Sequence, residues 1–121
     1  MTVSELRYLI TANELNEGGN GARMSAMAKR LSVTKVSVCN AVERLIANGY
    51  FYHNGKRVLL TEKCLSEIAD YLVVIDFIGD KLQRHLGTPK DRAFDEALGA
   101  ACALGEESRK GVLMFARANK V

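Results

Sequence analysis

Five polar side chains recur along one side of residues 34–48, TKVSVCNAVERLIAN: Lys35, Ser37, Cys39, Asn40 and Arg44. Val38, Ala41, Val42, Leu45 and Ile46 recur at helical spacing on the other side, so the stretch reads as a helix with an inward apolar face. Thr34 is a good N-cap, because its hydroxyl oxygen can accept from the free amides of the first turn. Asn and Arg can hydrogen-bond base edges in the major groove of DNA, whereas Lys, Ser and Thr suit phosphate oxygens. A polar outer face on a helix is more often only solvated, so the flanking elements decide the reading.

Upstream, residues 24–31 read as a short helix capped by Ser25, and Ser32-Val33 makes a tight turn into the helix above. Two short helices so joined are the sequence form of a helix-turn-helix. Downstream, Gly49 ends the second helix and Tyr50 to His53 is aromatic and strand-prone. Asn54-Gly55 is a hairpin signal, and Lys56 to Leu60 returns. This order describes a winged helix, with Lys56 and Arg57 near the wing tip placed to meet phosphates. A first helix over 4–16, with Ser4 as cap, supplies Leu6, Leu9, Ile10 and Leu15 to the core, and Glu17 to Gly21 breaks it.

From Thr61 a long helix reaches about Leu86. Its stripe is Leu65, Ile68, Leu72, Ile75, Leu82 and Leu86, with Gly79 where a large residue is expected. Such a helix beside a small domain commonly packs against a copy of itself, so a homodimer is expected. Gly87 stops it, Thr88 caps the next helix and Pro89 lies in that helix's first turn. Residues 89–104 form a helix of small residues, and a last helix over about 106–117 carries Val112, Leu113 and Phe115. The expected fold is mainly α with a small β-hairpin wing: a winged helix-turn-helix domain over 1–61 and a helical dimerisation region over 62–121.

The 121 residues suffice for one such domain with its extension, and the net charge of +3 hides an asymmetry. Residues 1–61 carry eight Lys and Arg against four acids, whereas the remainder carries nine against ten. A basic half around the reading helix fits a polyanion, here double-stranded DNA. The longest apolar run, Tyr71 to Ile75, is too short to span a bilayer, and the N-terminus lacks a signal-peptide pattern. Cys39, Cys64 and Cys102 form no CxxC pair, which suits a reducing cytoplasm. Neither His53 nor His85 has a nucleophile or a carboxylate pair near it in sequence, so an enzyme is not expected.

The order of elements resembles the DtxR/MntR family of iron- and manganese-dependent repressors. The similarity begins at ARMSAMAKRL (22–31) and continues through Val33, Ser37-Val38, Val42-Glu43-Arg44-Leu45 and Gly49-Tyr50. It ends most clearly at VLLTEK (58–63), then runs on more weakly to about residue 105. The resemblance implies a homodimer on a palindromic operator. It places Thr34, Val36 and Asn40 at bases, with Lys35 and Ser37 near phosphates. It also implies a divalent metal, Mn, Fe or Zn, yet the family's ligand positions are degenerate here. Those of the first helix fall near Arg7 and Thr11, and Leu98 and Ala101 occupy two more. Asp76, Asp80 and Cys102 are what remains for a metal, with Glu96 near. The sequence therefore reads as a DNA-binding transcriptional regulator, a repressor by resemblance. The alternative is a winged helix used for protein contact, since fold does not fix function.

Overall fold

The computed structural model describes residues 1–119. In chain order the elements are α1 (Val3–Glu14), β1 (Ala22–Arg23), α2 (Met24–Leu31), α3 (Lys35–Ala47), β2 (Phe51–Asn54) and β3 (Arg57–Leu60). They continue with α4 (Glu62–Leu86), α5 (Lys90–Ala103) and α6 (Glu106–Ala118). The chain divides into two compact units inside α4: Met1–Ile68, and a second from Ala69 on.

In the first unit α1 packs on α2, α3 and β3, and α3 packs on β2. Leu6, Leu9, Met27, Val38, Val42, Leu45, Phe51 and Val58 form the fully buried centre. The cap of α1 is Thr2, two residues before the expected Ser4. Thr2 and Glu5 form a reciprocal capping box, with bonds of 3.0 and 3.1 Å. Burial works against the Glu5 charge, but the Thr2 hydrogen bonds and nearby cations, Arg44 among them, hold its carboxyl below the ordinary value. Ser25 does not cap α2 either: it lies inside the helix, and Arg23 takes the cap position without a side-chain bond. Ser32 ends α2 in the left-handed region at φ 55°, which makes the turn into α3 tight.

The sheet has three antiparallel strands in the order β1-β3-β2, one more than the hairpin expected. Asn54 pairs with Arg57, so Gly55 and Lys56 form the two-residue turn, one position later than the Asn54-Gly55 signal implies. Gly55 has φ +62° and Lys56 does not share that sign, as in the type II′ hairpin turn, which takes Gly at its first central position. The extra strand depends on Gly21, whose φ is +105°. A Cβ there would lie 2.6 Å from the Val58 carbonyl oxygen. The wing is also tied to this loop by side chains. Asn54 Nδ2 donates to the Asn20 carbonyl at 2.9 Å, and Arg57 donates to that of Gly21 at 3.2 Å.

Where the hairpin returns to α4, the Tyr50 hydroxyl donates to Glu67 at 3.1 Å and Lys63 Nζ stands 4.8 Å over its ring. Cys64 is fully buried beside this cluster. Burial, then the Glu67 charge, pushes its thiol from 9.0 to about 12, and burial and Glu67 push Tyr50 from 10.0 to about 12.

In the second unit α5 lies against α4 through small residues. A Cβ on Gly79 would reach Ala97 Cβ at 3.7 Å, so a large residue in that slot would push α5 away. Helix α5 begins after Pro89, which takes the cap position expected of Thr88. Helix α6 joins α4 by an Asp70–Arg117 bond of 2.9 Å, Arg109 over Tyr71 at 4.7 Å and an edge-on Phe77–Phe115 pair at 5.6 Å. Of the expected α4 stripe, Leu65 and Leu86 are exposed, and Tyr71 and Val74 are buried beside Ile68 and Ile75. No described helix is long and apolar enough to cross a membrane.

Two outcomes follow from this packing. Gly21→Ala combines a steric clash with a strained φ and should cost about 1–3 kcal/mol in urea unfolding. The native state also keeps protons on Cys64 and Tyr50 that the unfolded chain gives up above about 9 and 10. That stabilisation is complete below those values and is lost as pH rises toward about 12. Stability measured against pH should therefore fall above about 9, with a shallower fall in a Cys64→Ala, Tyr50→Phe double variant; an unchanged slope would contradict this assignment.

Candidate nucleic-acid interface

The first half of α3 projects from the first unit because its inward residues Val38, Ala41, Val42 and Leu45 are buried while Thr34 to Ser37 are exposed. Thr34 is the N-cap, as expected. Its Oγ1 accepts from Ser37 N at 3.1 Å and donates to Ser37 Oγ at 2.9 Å, so these two side chains are engaged with each other. The amides of Lys35 and Val36 remain at the positive end of the helix dipole, a favourable place for a phosphate. Val36 is 69% exposed, and Asn40 stands one turn later on the same stripe.

A groove of about 640 Å³ separates this end of α3 from the wing tip. Arg23, Met24, Ser25, Lys35, Cys39, Gly55, Lys56 and Arg57 line it. Four of these are cations and none is an acid. Lys35 and Lys56 point into it with no ion pair shown for either, whereas Arg23 and Arg57 share Glu17, at 3.7 and 3.5 Å. Arg57 is the more enclosed of the two, through its Gly21 bond, so it fixes the wing as well as lining the groove. The Cys39 thiol does not face outward with Asn40; it lies 3.9 Å from Met24 Sδ on the groove wall.

Arg44, grouped with these residues by sequence, lies elsewhere. It lines a hollow with Ser4, Glu5, Tyr8, Ala41, Leu45 and Asn48, two turns along α3 and against α1. Arg23 and Ser25 also line the site, and their sequence signal is their place at the start of the helix-turn-helix. A second pairing had no local sequence signal. Glu43, on the stripe of Val36 and Asn40, stands 3.8 Å from His53 of β2.

The residues left for a metal are not assembled. Asp80 is bonded to Arg84 at 2.8 Å and has Lys81 at 3.9 Å, so its carboxylate is already neutralised. Asp76 is exposed, and Cys102, on α5, is half-buried. Among the described residues no three His, Cys, Asp or Glu side chains converge as metal ligands. Two carboxylates and one thiol that do not converge, with no imidazole among them, do not fit the metal sites of iron or zinc, and a manganese site would need these oxygen donors brought together.

No protein-family model and no curated protein sequence matches the chain. Solved structures do. A hypothetical protein from Sulfolobus solfataricus superposes with TM-score 0.73 at 23% identity, over 95% of this chain and 88% of that one. The metal-dependent transcriptional regulator MtsR gives 0.78 at 19% identity, over 95% and 54%. The manganese regulator SloR gives 0.74 at 19%, over 98% and 54%. The chain thus spans about half the length of the two named regulators. Three-stranded sheet, helix-turn-helix and following helices together give this chain the winged-helix fold of the DtxR-like metal-dependent transcriptional regulators.

Proposed function

We propose that this chain is a sequence-specific DNA-binding transcriptional regulator, a repressor that binds a palindromic operator as a homodimer in the cytoplasm. The observation that carries the reading is the groove between α3 and the wing, lined by four cations and no acid. In this reading α3 enters the major groove. Val36 and Asn40 meet bases, Asn40 by hydrogen bonds and Val36 by apolar contact with a thymine methyl. Lys35, Ser37, Arg23 and the wing residues Lys56 and Arg57 hold the flanking phosphates. Arg44, on the far side of α3, contributes long-range charge.

Leu86, Phe94, Met114 and Phe115 are exposed in the second unit, and α6 buries no side chain completely, Val112 and Leu113 being half-buried. Apolar surface of this kind supports a second copy of the chain as partner. A two-fold dimer would present two α3 helices to two half-sites, which is what a palindrome requires. Mn, Fe or Zn as effector would require Asp76, Asp80 and Cys102 to be brought together or other ligands to be recruited. The reading as a protein-contact module draws on the exposure of Val36 and Tyr52.

The test is binding of the purified protein to the DNA upstream of its own coding sequence, across a salt series, with chelator and then with Mn²⁺, Fe²⁺ or Zn²⁺. Binding should weaken steeply with salt and be indifferent to metal. Lys35→Glu with Asn40→Ala should lose about tenfold or more, since each good base contact is worth about 1–3 kcal/mol. Equal binding by the double variant would overturn the placement. Binding that requires metal would restore a metal switch, and no binding in any condition would favour the protein-contact module.

A further inference from the structure

Glu43 is the acid on the face proposed to enter the major groove. It follows Val36 and Asn40 at helical spacing, its side chain is 72% exposed, and the one partner shown for it is His53 Nε2 at 3.8 Å. His53 lies on the side of the hairpin that faces α3. It shares that side with Phe51 and pairs across the strands with Val58, both buried and apolar. The hairpin's own cations are placed elsewhere: Lys56 at the turn, and Arg57 on the opposite face with Glu17. Among the described residues Glu43 is thus the charged group that faces His53 from α3, and no hairpin cation is paired with it.

A carboxylate brought to the phosphate backbone is repelled unless a cation offsets it. An imidazole titrates near neutral pH and can supply that cation by taking up one proton. Resting on the DNA-binding reading above, we propose that the Glu43–His53 pair makes DNA binding proton-dependent, with His53 protonated in the complex. Because the complex then holds one more proton per protomer than the free protein and DNA, affinity must rise as pH falls. With His53 neutral, Glu43 faces the polyanion uncompensated.

The experiment measures fluorescence anisotropy of a short mixed-sequence duplex at constant ionic strength, from about pH 8 down to about pH 6, where an imidazole gains its charge. Wild type, His53→Gln, Glu43→Gln and, as control, His85→Gln are compared. Wild type and His85→Gln should tighten by about threefold or more per pH unit, ten being the limit for each proton taken up and so about a hundred for a dimer. His53→Gln should lose that slope. Glu43→Gln should bind more tightly than wild type at the alkaline end and respond less to pH, which keeps the test decisive should His53→Gln fail to fold. An unchanged slope in His53→Gln or in Glu43→Gln, or a wild type that binds with no slope, overturns the proposal. No duplex binding by wild type at any pH overturns the DNA-binding reading and this inference with it.

Discussion

Arg57 turns away from the hairpin to hydrogen-bond the Gly21 carbonyl, and Gly21 can lie against Val58 only because it has no side chain. This close approach lets Ala22 and Arg23 pair with β3, and it joins the wing to the residues that begin α2. The wing could otherwise swing on its two connections. With the third strand in place, Lys56 is held across a fixed gap from Lys35, and the groove has a width that the core of the first unit determines. Backbone geometry at one glycine therefore sets where two distant parts of the chain present their charge.

The charges in that groove differ in how freely they can act. Arg23 meets Glu17 in an exposed pair, and such pairs contribute only about 0–1 kcal/mol, whereas Arg57 is more enclosed and also held by the Gly21 carbonyl. A phosphate can therefore take the place of Glu17 beside Arg23 at little cost. Lys35 and Lys56 need no such exchange. In the proposed function, non-directional attraction to a polyanion would come from these four side chains, and discrimination among sequences would fall to the narrow stripe of Val36, Asn40 and Glu43. That stripe mixes an apolar, a neutral and an acidic side chain, so under the proposal the acid would have to be offset for the stripe to approach DNA, and His53, 3.8 Å from Glu43, would supply the offset.

Much of the first unit was legible in the sequence because its signals are local. The alternation of apolar residues in 34–48, the Thr34 cap, Gly49 and the glycine of the hairpin turn each act within a few residues. What the sequence does not make legible depends on residues far apart in the chain. Strand β1 is two residues long and exists only through its pairing with Val58 and Arg57. The Glu43–His53 pair joins a helix to a strand across an intervening turn. Arg44 shares its charge with Lys35, although about two and a half turns of helix carry it toward α1 and Glu5. In the second unit, Gly79 looked like a gap in a stripe; the neighbouring α5 gives it a reason. Asp76 and Asp80 shared a spacing suited to ligands, yet Arg84 one turn on from Asp80 supplies the counter-charge instead.

The proposed function requires the α3–wing groove to be the surface that meets DNA. The most direct measurement is titration of duplex DNA into ¹⁵N-labelled protein, following backbone amide shifts residue by residue. The expected result is a set of shifts concentrated at 34–40, at Arg23 to Ser25 and at Gly55 to Arg57, with the hollow around Arg44 and α5 little affected. Shifts concentrated on α1 or α6 instead, with the groove residues unmoved at saturation, would contradict it.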